Sequence, residues 1–152
     1  MAVNIEAYEK ILAELGEKVT LVAVSKKKSV SDIMELYELG QRDFGENYVQ
    51  ELIQKQLLLP PDIRWHFIGH LQRNKVKYVV PFVHLIHGVD SYQLLEEIDR
   101  QAGRHNRLIS CLLQVHIASE ATKFGLNDHE LERLAEGIHK QKLLGQLQYT
   151  RE

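Results

Sequence analysis

At 152 residues, with 44% hydrophobic side chains and a formal net charge of −2, the chain has the size and composition of one folded domain, which excludes intrinsic disorder. The near balance of 19 basic and 21 acidic residues argues against a surface built to grip nucleic acid. No apolar run approaches the ~18–20 residues of a membrane span, and the acidic, amphipathic start MAVNIEAYEKILAEL does not read as a secretory or transit signal.

In chain order, Ile5, Tyr8, Leu12 and Leu15 fall on one face of a first helix that Gly16 stops. Val19–Ser25 (VTLVAVS) is a β-branched apolar run with the length and composition of a buried strand. Ser29, with Asp32 three residues on, has the form of a helix N-cap, and Ile33, Leu36 and Tyr37 continue at helical spacing to Gly40. Arg42–Gly45 reads as a second strand, followed by a helix carrying Val49, Leu52 and Ile53. Arg64–Gly69 (RWHFIG) reads as a third, followed by a helix from about Leu71 to Val80 that Pro81 terminates. Val83–Val89 is a fourth strand; Ser91 caps a helix with Leu94, Leu95, Ile98 and Ala102 on its apolar face. Leu108–Ala118 is a fifth, after which Asn127 and Glu130 open a helix carrying Leu131, Leu134, Ala135 and Ile138.

Short apolar strands alternating with amphipathic helices predict an α/β chain of βα units around a parallel sheet. Their tight spacing points to a (β/α) TIM-barrel type. Neither GxGxxG nor GxxxxGK[ST] follows the first strand. A full eight-unit barrel takes about 250 residues, so about five to six units are expected here, as a single partial barrel domain over residues 1–152.

Ligands of parallel α/β folds bind at the carboxyl ends of the strands. That rule nominates Lys26–Lys28, Gly45–Tyr48 with Asn47, Gly69–Gln72, Asp90–Ser91 and Ser119–Gly125 with Lys123. The three lysines have two readings, a solvated charge run and an electrophile-capturing amine. On the second, position selects Lys26, which follows the apolar strand into the expected barrel mouth. There burial and the neighbouring cations would disfavour its ammonium and leave an amine able to attack carbonyls. His66 alternates with Trp65 and Phe67 inside a strand and reads on its own as a satisfied core residue. The eight histidines lack metal-ligand spacing, so no metal is expected. Cys111 has no disulfide partner within the chain and lies in an apolar stretch. It reads as inert packing in a reducing, cytoplasmic setting.

Four strand-end segments in order, VAVSK (Val22–Lys26), GQRDFGENYVQE (Gly40–Glu51), WHFIGHLQRNK (Trp65–Lys75) and ATKFGL (Ala121–Leu126), resemble the pyridoxal-phosphate homeostasis proteins, the YggS/PROSC family. The resemblance runs from about Val19 to Ile138. The family is similar to the barrel domain of fold-type III enzymes such as alanine racemase, without their second domain. The resemblance implies that pyridoxal 5'-phosphate is the cofactor and Lys26 its Schiff-base lysine. It also implies that Asn47 and His66 line the cofactor pocket, and that Lys123 lies near the cofactor's passage.

The function so implied is binding without catalysis: the chain holds the aldehyde as a lysine aldimine and passes it on, with PLP-dependent apoenzymes as recipients. The later family strands, with a Ser/Gly-rich phosphate cup and an arginine facing the pyridine nitrogen, have no counterpart here. The expected sixth strand gives way to Leu144–Glu152, and weaker cofactor retention follows. Two alternatives stand beside this reading: a degenerate fragment with little or no cofactor binding, and an amino-acid racemase-like enzyme.

Overall fold

The computed structural model describes residues 3–115, 125–139 and 147–150, with 134–139 and 147–150 through the backbone alone. Its elements run α1 (Ile5–Leu15), β1 (Ala23–Val24), α2 (Val30–Glu38), β2 (Asp43–Glu46), α3 (Val49–Leu58), β3 (Arg64–Phe67), α4 (Val76–Val79), β4 (Leu85–Val89), α5 (Tyr92–Arg104), β5 (Ile109–Leu113), α6 (Asp128–His139) and β6 (Leu147–Thr150). The six strands form one sheet in the order 1-2-3-4-5-6, and every pair is parallel. Each strand lies beside its predecessor and the order never reverses. This separates a barrel-type sheet from a doubly wound one, whose order turns back at a switch point. The (β/α) barrel-type reading holds, with six strands among the described residues. The sixth forms from Leu147–Thr150, paired with β5 from Ile109↔Leu147 onward.

Local sequence accounts for the helix starts. Ser29 Oγ accepts from the Asp32 amide at 3.1 Å, Ser91 Oγ from Leu94 at 3.1 Å and Asn127 Oδ1 from Glu130 at 2.8 Å. Each cap satisfies an amide the helix itself leaves unpaired. Alternation then divides the strands between two faces. Phe44, Trp65, Phe67 and Ile86 point to the helices and pack with Leu52, Val79, Leu95 and Ile98, all at most 2% exposed. Each such side chain contributes roughly 1.5–3 kcal/mol by leaving water. The opposite face carries Asp43, His66 and His87.

Three elements depart from expectation. The first strand is only Ala23–Val24 and is an edge, not a buried strand: among the described residues β1 pairs with β2 alone, and Val19 and Val24 are each 53% exposed. Of the apolar face expected on α1 only Tyr8 is buried. Its hydroxyl donates to Gln41 at 2.8 Å, so α1 is fastened by a hydrogen bond to the start of β2 more than by its leucines. The helix expected over Leu71–Val80 is a 3-10 turn at Arg73–Lys75 followed by the single turn of α4.

Candidate functional site

The candidate site is assembled by register. Val24 pairs with Gly45, and Gly45 with His66. Lys26 and Asn47 therefore stand two residues beyond the same rung, at the carboxyl ends of adjacent strands. His66 sits on the rung itself, one layer deeper in the sheet. The Ser25 amide donates to the Gly45 carbonyl at 2.9 Å, and the chain then turns through Ser25–Lys28, closed by the Lys28 amide on the Ser25 carbonyl at 3.0 Å. Lys27 takes φ of +60° in that turn, in the left-handed region that non-glycine residues seldom occupy.

Lys26 is exposed, where the sequence reading expected enclosure in a barrel mouth. The reason is local: β1 ends at Val24, itself exposed, so the turn that follows projects from the edge of the sheet. Beneath the turn lies a buried ion cluster that sequence reasoning missed. Lys55 of α3 donates to the Ser25 carbonyl at 2.6 Å, to Glu46 Oε2 at 2.9 Å and to Glu51 Oε2 at 2.9 Å. Glu46 Oε2 also accepts from the Ser25 hydroxyl, and Glu51 Oε2 accepts from the Lys27 amide at 2.7 Å. Glu46 is fully buried; burial raises its carboxyl above the ordinary glutamate range, with the hydrogen bonds from Ser25 and Lys55 working the other way. Burial pushes Glu51 the same way, but Lys55 and the Lys27 amide outweigh it and hold Glu51 below that range. The Glu51–Lys55 spacing of four was legible as a helix-surface pair; its burial under the turn was not.

Asn47 is half-buried, and its Oδ1 is buried without a hydrogen-bond partner. It lines a recess of about 520 Å³ with Phe67, His70, Gln72, Lys75 and Tyr78. Gly69 closes tightly on it, since a Cβ there would stand 2.3 Å from the Asn47 carbonyl oxygen. His66 lies in a different recess, of about 370 Å³, with Asp43, Arg64, His84 and His87. Its Nε2 meets Asp43 Oδ1 at 2.9 Å and its Nδ1 meets His87 Nε2 at 2.9 Å. Arg64 forks both oxygens of Asp43, at 3.0 and 2.7 Å. Burial works against the Asp43 carboxylate, yet the bonds from Arg64 and His66 prevail and hold it below the ordinary range.

Asp43, His66 and His84 bring ligand-type atoms within 4.8 Å of one another, a grouping made by strand register and invisible to sequence spacing. The structure thus brings Lys26 and Asn47 to the carboxyl ends of adjacent strands and leaves His66 below them in its own recess. Lys123 lies outside the described residues. Cys111 is buried, and burial pushes its thiol up to about 12, so it stays protonated and inert at neutral pH.

An exposed amine on a clamped turn thus stands at the same strand ends as a half-buried asparagine whose amide oxygen lacks a partner. The chain is 42% identical over 129 residues to a pyridoxal phosphate homeostasis protein of Bos taurus, covering 78% of this chain and 47% of that protein. It is 40% identical over 127 residues to one of Synechocystis, covering 82% and 58%. It therefore spans about half the length of the curated relatives it matches. The solved structure of PipY from Synechococcus elongatus without PLP superposes with a TM-score of 0.85 at 40% identity, covering 95% of this chain and 66% of that one. The PLP-bound form of PipY gives 0.82 at 38% identity over the same shares. An alanine racemase from Bartonella henselae, at 17% identity and a TM-score of 0.70, shares the fold. The family model described as alanine racemase, N-terminal domain, matches residues 1–149, and it is to this family that the chain belongs.

Proposed function

We propose that the chain binds pyridoxal phosphate through Lys26 and serves to hold and pass on that cofactor in the cytoplasm, without turning over an amino acid. The observation that carries the reading is the placement of Lys26: an exposed amine at the carboxyl end of β1, on a turn tied down from below and level with Asn47. The PLP-bound relative and the relatives named for pyridoxal phosphate homeostasis support it. When bound, the cofactor supplies an electrophilic aldehyde.

The rest is done by this chain's residues. Lys26 supplies the amine that bonds the aldehyde carbon. Asn47 offers the unpartnered Oδ1 at the same strand ends. His66, held between Asp43 and His87, supports the site from the layer below. Lys123 is assigned to the cofactor's passage by the family resemblance. Apoenzymes that need the cofactor are the proposed recipients. The single buried cysteine fits a reducing compartment, and no helix among the described residues is long and apolar enough to cross a membrane.

The test is to add pyridoxal phosphate, trap with borohydride and map the labelled peptides. Label concentrated on Lys26 and absent from Lys26→Ala is the expected result. Label spread evenly over Lys26, Lys27, Lys28 and other surface amines would sink the reading.

A further inference from the structure

The two peptide groups that flank the Lys26 Cα are both held by the same pair of side chains. The carbonyl before it, that of Ser25, accepts from Lys55 Nζ at 2.6 Å, and the amide after it, that of Lys27, donates to Glu51 Oε2 at 2.7 Å. Lys55 and Glu51 are joined to each other at 2.9 Å, one helical turn apart on α3. Glu46, fully buried on β2, takes a third Lys55 hydrogen bond at 2.9 Å and also receives the Ser25 hydroxyl. Lys55 itself is only 6% exposed.

A buried lysine and a buried glutamate are costly unless paired, so an ion cluster at this place needs a reason beyond solubility. The cluster does not tie two elements of the core together for stability alone. It converges on one exposed turn, and within that turn it grips both sides of one residue. Lys27, whose amide Glu51 holds, stands in the left-handed region at φ +60°, in a turn closed by the Lys28 amide on the Ser25 carbonyl. With both neighbouring peptide planes fixed, the Cα–Cβ direction of Lys26 is fixed too. Only the side-chain torsions of the lysine stay free.

We infer that Glu51 and Lys55, backed by Glu46, are positioning residues that aim the Lys26 amine. They touch no ligand themselves and act through the backbone of the turn. The inference rests on the reading of Lys26 as the cofactor-bonding amine. It adds what distinguishes Lys26 from Lys27 and Lys28, which are also exposed and are basic by the same side chain. Selectivity among three adjacent lysines then comes from the rigidity of the clamp.

The experiment compares the wild type, Glu51→Ala and Glu51→Gln, with pyridoxal phosphate as probe, borohydride trapping and the ratio of label on Lys26 to label on Lys27 plus Lys28. Hydrogen exchange of the Lys27 amide and a thermal melt are recorded on the same samples. Glu51 is the right handle because its side chain is 24% exposed, so its loss leaves the core packed. Glu51→Ala is expected to lower the selectivity ratio by about tenfold and speed exchange at the Lys27 amide, while the melt stays in place. Glu51→Gln retains an acceptor for both Lys27 and Lys55 and is expected to restore most of the ratio.

Lys55→Met is a second variant from the other end of the clamp, expected to lose selectivity in the fraction that folds. A wild type that labels Lys26 selectively and a Glu51→Ala variant that does so equally well would overturn the inference and leave the proposed function standing. A wild type that labels all three lysines alike would overturn the proposed function, and the inference with it.

Discussion

His87 is held down to about 4 by burial first and by the adjoining His66 second, so at neutral pH its ring is neutral. In the unfolded chain the same ring titrates at its ordinary value of 6.5. Between those two values the unfolded state binds more protons than the folded one, and stability must fall as the pH falls. Above pH 6.5 the contribution is complete; by about 4 it is gone. At about 1.4 kcal/mol per unit the full interval would be about 3.5 kcal/mol, and solvent screening at a half-buried ring reduces this to the order of 1–2 kcal/mol. His84, lowered by burial and then by His66, adds to the loss in the same direction. Asp43 acts below the ordinary aspartate value of 3.8, outside this window. Glu46, its carboxyl raised by burial, works the other way in the same window, so the difference between variants is the readout: in urea titrations from pH 7 to pH 4, His87→Gln should lose less stability than the wild type. Parallel slopes would mean the ring does not titrate as its surroundings dictate.

At the level of elements, strand ends and helix starts carry the organisation, and the two differ in how openly the sequence declares them. Caps are local: Ser29, Ser91 and Asn127 each find an amide three residues on, so their helices were legible from a few letters. Lys26, Asn47 and Lys123 were nominated by the rule that strand ends carry ligands. That Lys26 and Asn47 share a level needed the register of β1 on β2, which separates partners by 21 residues. The exposure of Lys26 was not legible, because it depends on β1 stopping after two residues at the sheet edge.

Gly69 is a further element-scale feature, one that shows how closely the ends of β2 and β3 approach. A Cβ at Gly69 would lie 2.3 Å from the Asn47 carbonyl oxygen and 2.9 Å from its Cα, against backbone that has no flexible end to swing aside. Gly69→Ala must therefore push the two strand ends apart. It should cost about 1–3 kcal/mol, the range for overpacked sites, and move the Asn47 amide resonance in an NMR spectrum. An unshifted Asn47 resonance would show that the loops yield elsewhere.

Across the whole molecule the sheet divides its labour between its faces. The helix-facing side is closed and mostly apolar, with Phe44, Trp65, Phe67 and Ile86 at most 2% exposed, and is broken at the end of β2 by the buried Glu46–Lys55 pair. The other face and the carboxyl ends carry the histidines, the ion cluster and Lys26. The sequence made the first layer readable through its apolar runs, while the second hid behind residues that look like scattered charges until the strands align them. Stability and cofactor chemistry should then separate under mutation. Phe67 is fully buried in a central strand, so Phe67→Ala removes its transfer energy and leaves a cavity, about 3–5 kcal/mol in all. That is a large part of the 5–15 kcal/mol typical of a domain, and the urea midpoint should drop sharply. Lys26→Ala deletes an exposed side chain outside the packed layer, with an expected change within about 0.5 kcal/mol. The folded remainder of Phe67→Ala should still label at Lys26, whereas Lys26→Ala should unfold like the wild type and take no label there. A Lys26→Ala protein that also lost several kcal/mol would place Lys26 within the packing of the fold, and the two faces would not be separable.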